Sequence, residues 1–184
     1  MGNNENLKSK MKNEKFMSQQ LYQRNSHCSY CGHQFTVDQP WPRQCSHCHN
    51  MTFRNPLPVA VVIQPVDEGV LTVRRTIEPR RGWLALPGGY IEFGESWQAA
   101  GARELWEEAG VEINSSSLRE IKVFSAPDNT LLIVALAPPL TSTQLVDFVV
   151  TDEANERVIV RTPQELAFPL HTEVVADYLA GKWR

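Results

Sequence analysis

The later part of the chain carries the apolar pattern of short strands separated by turns. Residues 59–66 are an almost unbroken run of valine and isoleucine, which is typical of a strand buried on both faces. Asp67, Glu68 and Gly69 then supply a hairpin turn, and residues 70–75 alternate between apolar and polar as a strand does. The same criteria predict further strands at residues 83–86, 118–125, 130–137 and 157–161.

Two segments have the features of helices. In the first, Ser96 is the predicted N-cap, and Gly110 is predicted to end the helix in the left-handed conformation. Further along, residues 163–166 are predicted to start a turn of helix and residues 170–179 to form an amphipathic helix. Strands combined with two helices predict an α/β fold, in which a mixed sheet is held between the helices.

Composition divides the chain into three parts. Residues 1–20 are polar and rich in lysine and asparagine, so we expect a flexible extension there. Residues 21–55 contain all the cysteines and form a predicted small ribbon. Pro56 and Pro58 mark the start of the main domain, at residues 56–184.

Length and charge narrow the class of protein. With 184 residues, 42% of them hydrophobic, the chain is long enough for one main domain with a core and a small appendage. A net charge of -3 gives no support for nucleic-acid binding by charge. The longest apolar run, residues 131–140, is too short to span a membrane, and the N-terminus lacks the apolar segment of a secretory signal. We therefore expect a cytoplasmic protein with no membrane or nucleic-acid partner.

The cysteines form two C-x2-C pairs separated by 13 residues, namely Cys28, Cys31, Cys45 and Cys48. This spacing predicts four thiolates around a structural Zn²⁺, because so small a ribbon buries too little core to fold without a metal. Two redox-active pairs are the alternative, which the absence of a surrounding βαβ pattern disfavours. A ribbon histidine could also replace one cysteine, the candidates being His27, His33, His47 and His49. The role of the ribbon stays open between homodimer formation and shaping of a substrate cleft.

Residues 89–111 carry the most specific motif, GYIEFGESWQAAGARELWEEAGV, which fits G-x5-E-x7-R-E-U-x-E-E-x-G-U with U a bulky aliphatic residue. On a helix, Glu104, Glu107 and Glu108 share one face, where three carboxylates repel one another. A divalent cation removes that repulsion, and oxygen ligands favour Mg²⁺ or Mn²⁺ over zinc. The turn at residues 86–89 contains two glycines, so its backbone can approach a metal or a phosphate closely.

These carboxylates, the glycine turn and the nearby Arg103 are the groups expected for metal-assisted hydrolysis of a phosphoanhydride. The alternative is a solvated acidic helix face on which Arg103 and Glu107 form an ordinary ion pair. Aromatic residues that could stack on a base, and arginines that could bind phosphate, are Trp83, Tyr90, Phe93, Arg74, Arg75, Arg80 and Arg81. Core packing is the favoured role of Trp83.

The motif resembles the signature of the Nudix hydrolases, which cleave a nucleoside diphosphate linked to another group. The resemblance covers nearly all of residues 28–183 and implies an α/β/α sandwich with a mixed sheet. In the leading hypothesis, Glu104 and Glu108 are the first metal ligands and Glu107 shares the ion or acts through water. The carbonyl of Gly89 completes the metal shell, and Arg103 orients a carboxylate.

An acidic segment near residue 153 is a further candidate. In Nudix enzymes that act on dinucleotides, a downstream loop glutamate often supplies another metal ligand or the general base. By position, this resemblance implies that role for Glu153, with Glu156 second and Asp152 third, all three on a loop. A solvated acidic loop is the alternative.

The ribbon sequence HCSYCGH…CSHC resembles that of NADH pyrophosphatases, and residues 74–83 and 165–169 resemble a shorter branch associated with ADP-ribose, FAD or NADH. The motif S-Q-P-W-P-F-P-x-S of NADH pyrophosphatases is absent, since residues 122–128 read KVFSAPD. The expected reaction is hydrolysis of the pyrophosphate bond of ADP-ribose or FAD first and NADH next, giving AMP and the other phosphorylated half. The alternatives are a nucleoside triphosphate pyrophosphohydrolase releasing pyrophosphate, and a catalytically silent ligand sensor.

Overall fold

A computed structural model describes residues 24–183. The predicted extension at residues 1–20 lies outside the described residues. The chain divides into two compact units, with the boundary between Asn55 and Pro56. Each unit has its own buried cluster of side chains.

The first unit is a small two-stranded ribbon. Strand β1 (Arg43–Gln44) pairs with β2 (Met51–Thr52) in an antiparallel arrangement. Its buried cluster consists of Cys28, Phe35 and Cys45, so two of its three members are sulfur-bearing side chains. Such a core is too small to stabilise a fold by apolar burial alone, which is the condition under which a bound metal becomes necessary.

The second unit is built on a seven-stranded mixed sheet. Its strands are β3 (Leu57–Val66), β4 (Gly69–Arg75), β5 (Leu84–Ala85), β6 (Gly88–Tyr90), β7 (Arg119–Ser125), β8 (Thr130–Leu136) and β9 (Ala154–Val160). The main order is β5-β4-β3-β8-β7, with β6 paired to β3 and β9 paired to β4. Strands β3 and β8 are parallel, and the other pairs are antiparallel. The predicted mixed sheet is confirmed.

Two helices cover opposite faces of this sheet. Helix α1 spans Trp97–Ala109 and helix α2 spans Pro169–Leu179. Successive residues of a strand point to opposite faces. Accordingly, Val62 of β3 packs in the cluster that contains Leu105 of α1, whereas Ile63 packs in the cluster that contains α2. The expected α/β/α sandwich is confirmed.

The ends of α1 follow from single residues, as predicted. The hydroxyl of Ser96 accepts a hydrogen bond from the N–H of Ala99 at 3.1 Å, which caps the first turn. Gly110 adopts φ 63°, and its N–H donates to the carbonyl of Trp106 at 2.8 Å. A glycine at this position ends the helix without the steric cost that a Cβ would impose.

The predicted turn of helix at residues 163–166 is wrong, because the backbone there forms hydrogen bonds with other segments. The N–H of Leu166 donates to the hydroxyl of Thr172 at 2.9 Å. The N–H of Ala167 donates to the carbonyl of Leu84 at 2.7 Å. The segment is therefore a loop that runs to the first turn of α2.

None of the helices within residues 24–183 has both the length and the apolar character that a membrane span requires.

Gly101 of helix α1 packs tightly against Val62 of the sheet and against Leu118. A Cβ built on Gly101 would lie 3.1 Å from Cδ1 of Leu118 and 3.2 Å from Cγ2 of Val62. We expect Gly101→Val to lower the free energy of unfolding by about 1–3 kcal/mol, because a branched side chain forces the helix away from the sheet. Denaturant unfolding measures this change.

Trp106→Val is the matched control, since Trp106 lies on the solvent face of the same helix. We expect it to change the free energy of unfolding by less than about 0.5–1 kcal/mol. Equal losses from the two substitutions would show that β-branching in the helix, and not packing at Gly101, causes the effect.

Candidate active site

The glycine turn at residues 86–89 brings backbone against the carboxylates of α1. A Cβ on Gly89 would lie 2.4 Å from Oε1 of Glu104, and one on Gly88 would lie 2.4 Å from the carbonyl oxygen of Ala60. Neither position admits a side chain without displacing its neighbours. The N–H of Gly88 donates to Oε2 of Glu108 at 2.9 Å. The turn therefore lies directly beside two carboxylates of the helix.

Glu104, Glu107 and Glu108, the three glutamates on one face of α1, differ in exposure. Glu104 and Glu108 are buried, with relative exposures of 9% and 5%, whereas Glu107 is exposed. Buried carboxylates are costly unless they are protonated or paired with positive charge. The helix thus presents Glu104 and Glu108 to the glycine turn and leaves Glu107 at the edge of the site.

Arg103 connects the acidic residues. Its guanidinium donates to both carboxylate oxygens of Glu95 at 3.0 Å, to Oε1 of Glu104 at 2.8 Å and to Oε2 of Glu107 at 3.1 Å. It also donates to the carbonyl of Tyr90 at 3.1 Å. The hydrogen bonds from Arg103 lower the pKa of Glu95. The donors of Arg103 are therefore all used within the protein.

Burial makes the inner carboxylates hard to ionise. It raises the pKa of Glu108 to about 8, and the charges of Glu104 and Glu153 add to this effect, while the N–H of Gly88 and the charge of Arg75 oppose it. Burial also raises the pKa of Glu104, against the hydrogen bond from Arg103. A nearby cation would favour the ionised form of both groups, because opposite charge lowers a carboxyl pKa.

The chemistry of the donor set fits a hard divalent cation. Carboxylate oxygens are the ligands that Mg²⁺ and Mn²⁺ prefer, and a Cβ at Gly89 would intrude on this cluster. Among residues 24–183, however, the four cysteines are the one group of three or more possible ligands whose atoms all lie within 4.8 Å of one another. The carboxylates of Glu104, Glu107 and Glu108 do not form such a group; Glu104 accepts a hydrogen bond from Arg103, and Glu108 accepts one from the N–H of Gly88.

The acidic segment near residue 153 divides into two parts. Glu153 precedes β9, and its charge acts on both Glu104 and Glu108. The N–H of Thr76 donates to the carbonyl of Glu153 at 2.9 Å, which anchors the loop to the end of β4.

The predicted loop position of Glu156 is wrong, because this residue lies within β9. There it forms an ion pair with Arg74 at 2.6 Å. Asp152 lies on the loop.

An apolar cavity of about 350 Å³ is lined by residues of β3, β8, the turn between β7 and β8, and the start of α2. Its lining includes Val59, Pro127, Leu132, Phe168, Pro169 and Leu170, together with Asp128, Thr130 and His171. The connection to the glycine turn is direct, since the N–H of Leu86 donates to Nδ1 of His171 at 3.2 Å. Only a few residues of the turn thus separate the residue that contacts the cavity side chain His171 from the residue that contacts the carboxylate cluster.

The arginines and aromatic residues around the turn have different surroundings. Arg74 is used in the ion pair with Glu156, whereas the guanidinium of Arg75 lies 5.2 Å from the ring centre of Phe168 at the cavity. The favoured core position of Trp83 is wrong: its side chain is 37% exposed and lies under the guanidinium of Arg80 at 5.4 Å.

The ribbon cysteines converge on one point. Sγ of Cys28 lies 3.7 Å from Sγ of Cys48, and Sγ of Cys31 lies 3.6 Å from Sγ of Cys45. Four sulfurs at the usual Zn–S distance of about 2.3 Å in a tetrahedron are about 3.8 Å apart, so the donor set fits Zn²⁺. A disulfide requires about 2.05 Å, and all four thiols are free.

Comparison with known proteins identifies the family. The NUDIX domain family model matches residues 54–178 of the 184-residue chain. The chain belongs to the Nudix family.

Known relatives of this Nudix domain differ from the chain in length. The NAD-capped RNA hydrolase NudC of Escherichia coli is 30% identical over 97 residues, which are 52% of this chain and 37% of that relative. The match thus spans little more than a third of the relative.

Two solved structures are similar. A NUDIX hydrolase from Nitrosomonas europaea has a TM-score of 0.68 and 25% identity, covering 85% of this chain and 92% of that one. A bifunctional NMN adenylyltransferase/ADP ribose pyrophosphatase from Francisella tularensis has a TM-score of 0.51 and 26% identity, covering 58% and 34%.

Sequence reasoning missed His171 and the different surroundings of Arg74 and Arg75, and it marked Phe168 only as part of residues 165–169. His171 lies in α2, a helix that the sequence predicts only as amphipathic. No motif marks it, because Leu86, the backbone donor that it contacts, lies far away along the chain. A buried histidine within an apolar helix face was the only available signal, and it does not distinguish a binding residue from a core residue.

The raised pKa of Glu108 predicts a pH-dependent stability. A carboxyl whose pKa is raised by folding stabilises the fold at low pH, and this contribution is lost as the pH rises through about 8. With no added divalent cation, we expect the free energy of unfolding of the wild type, relative to Glu108→Gln, to fall by roughly 1–4 kcal/mol between about pH 5 and pH 9. Denaturant unfolding of both proteins across this range measures the difference.

Addition of Mg²⁺ should reverse the loss at high pH in the wild type, because ligand binding to the native state stabilises it. The Glu108→Gln protein should respond much less. A pH-independent difference between the two proteins would contradict the assigned burial of an ionisable Glu108.

The cysteine geometry predicts one zinc per chain. We expect Cys45→Ser to bind zinc at least about tenfold more weakly, because a buried thiolate ligand is lost. Metal analysis of the purified protein, followed by competition with a chromogenic chelator, measures stoichiometry and affinity. His47→Asn is the control and should retain zinc. Zinc loss in the control would assign a ligand role to His47.

Proposed function

We propose that the protein is a metal-dependent hydrolase of the pyrophosphate bond in a nucleoside diphosphate derivative. The observation that carries this proposal is the pair of buried carboxylates, Glu104 and Glu108, held against the backbone of Gly88 and Gly89. Family membership supports it independently. Zn²⁺ in the ribbon is assigned a structural role, because four sulfurs leave no open ligand position.

Glu104 and Glu108 would hold the catalytic Mg²⁺ or Mn²⁺, with Glu107 and the Gly89 carbonyl as further ligands. When bound, such an ion neutralises charge on the phosphate oxygens and acidifies a water molecule. Within the chain, Arg103 fixes the rotamers of Glu104 and Glu107 through its hydrogen bonds.

Glu153 is the proposed general base. Its position at the edge of the cluster leaves it outside the hydrogen bonds of Arg103, and its backbone is anchored to Thr76. Electrostatic coupling to Glu104 and Glu108 supports this role, because it requires Glu153 to lie near both. Arg103 acts by positioning the carboxylates and does not contact substrate.

The proposed substrates are ADP-ribose or FAD first and NADH next, with AMP and the other phosphorylated half as products. The similar Francisella tularensis protein is named as an ADP ribose pyrophosphatase, and the Escherichia coli relative as an NAD-capped RNA hydrolase. The absence of the NADH pyrophosphatase motif at residues 122–128 supports the order of the ranking. A homodimer formed through the ribbon and a cytoplasmic location stay predictions; sedimentation of the zinc-loaded protein tests the former.

The deciding experiment is a turnover panel in Mg²⁺ with ADP-ribose, FAD, NADH, NAD⁺ and the common nucleoside triphosphates, with products separated by chromatography. AMP from one of the first four substrates is the expected result. Pyrophosphate from a triphosphate would instead identify a nucleoside triphosphate pyrophosphohydrolase. No product from a folded, zinc-loaded protein would favour the silent sensor.

The role of Glu108 gives a second expected outcome on the same substrate. Glu108→Gln should lower kcat by about 10²–10⁴-fold, because the neutral amide binds the cation far more weakly. The matched control is Glu112→Gln, which changes an exposed glutamate just beyond α1 and should leave turnover within about twofold. Unchanged turnover in a folded Glu108→Gln protein would contradict the metal-ligand assignment.

A further inference from the structure

His171 is a buried side chain that the proposed reaction does not use. Its relative exposure is 6%, and its Nδ1 accepts a hydrogen bond from the N–H of Leu86 at 3.2 Å. A backbone N–H can only donate, so Nδ1 carries no proton and the ring proton lies on Nε2. Burial, with the positive charge of Arg75, lowers the pKa of His171 to about 3, which keeps this neutral form across the physiological range.

His171 lines the cavity, and Nε2–H is the ring group that the contact with Leu86 leaves free. Among the described residues, Nε2 has no hydrogen-bond partner, and the one fully buried unpartnered side-chain atom is Oε1 of Gln64. Nε2 is therefore accessible, and the space that His171 lines is the cavity beside the glycine turn. The hydroxyl of Thr130, the other neutral side-chain donor in the lining, already donates to Asp128 at 2.7 Å.

The cavity has the properties of a site for a planar ring. Its volume of about 350 Å³ falls in the range of about 300–1,000 Å³ that is usual for small-molecule pockets. Its apolar lining favours burial of an aromatic face, and the ring of Phe168 is fixed edge-on against His171 at 5.0 Å. A ring that places an acceptor opposite this unpaired donor binds more tightly than a ring that does not. The reason is that leaving a buried donor without a hydrogen bond costs free energy.

We propose that His171 is a specificity-determining residue, whose Nε2–H donates to a ring nitrogen of the adenine of the substrate. The choice of adenine rests on the proposed function, since adenine is the base common to the ranked substrates. The same side chain holds Leu86, two residues before Gly88, whose N–H contacts Glu108. Recognition of the base is thereby connected to the turn that carries the carboxylate site.

The test measures binding of AMP and three analogues in Mg²⁺ by calorimetry, so that the readout does not depend on turnover. In 1-deaza-, 3-deaza- and 7-deaza-AMP, one ring nitrogen is replaced by C–H. We expect the wild type to bind one analogue about tenfold more weakly than AMP, and His171→Asn to reduce that ratio to about twofold or less. Asparagine can still accept from Leu86, but it does not reach the position of Nε2.

His171→Gln is the second variant, because its amide N–H reaches close to the position of Nε2. It should restore part of the discrimination between AMP and the sensitive analogue, which a merely structural role of His171 would not do. His49→Asn makes the same chemical change on the exposed surface of the ribbon and should leave all four affinities unchanged.

Equal binding of AMP and all three analogues by the wild type would overturn the proposal, as would discrimination that survives in His171→Asn. Absence of AMP binding would overturn it too.

The turnover panel distinguishes a failure of this inference from a failure of the proposed function. Discrimination at His171 without hydrolysis would leave the inference in place and remove the proposed function, whereas hydrolysis without discrimination would do the reverse.

Discussion

The close approach of the glycine turn to helix α1 is the constraint on which the rest of the site depends. Strand β6 pairs with β3 through Gly88 and Gly89, opposite Val61 and Ala60. Built Cβ atoms at both glycines would overlap their neighbours at 2.4 Å. Glycine, which has no side chain, therefore fits between the sheet and the carboxylates of the helix without displacing them. This contact sets the distance between the glycine turn and the residues assigned to the cation.

This close approach places carboxylates in buried positions near one another, where their ionised forms are unfavourable. Glu104 and Glu108 are buried beside each other and beside Glu153, and burial and like charge both favour their neutral forms. Arg103 compensates for only part of the negative charge, because it is shared with Glu95 and Glu107. A cluster that is acidic, buried and incompletely neutralised is poorly suited to a structural role, and well suited to a divalent cation.

Local features could be predicted from sequence because they depend on residues close together in the chain. The cap at Ser96, the end of α1 at Gly110 and the convergence of the cysteines each follow from a short motif. Tertiary partners were harder to predict. The ion pair of Glu156 joins β9 to β4, and residues 163–166 form a loop because distant groups accept their backbone hydrogen bonds. Both errors arose where contacts distant in sequence override a local pattern.

The glycine turn contacts the helices on both faces of the sheet. Alternation along β3 sends Val62 toward α1 and Ile63 toward α2, so the two helices pack in separate clusters on opposite faces. The turn lies beyond the end of β5 and reaches both sides. The N–H of Leu86 contacts His171 of α2, and the N–H of Gly88 contacts Glu108 of α1. A ligand with a flat ring at one end and a diphosphate at the other matches this arrangement, because one short turn separates an apolar cavity from a charged site.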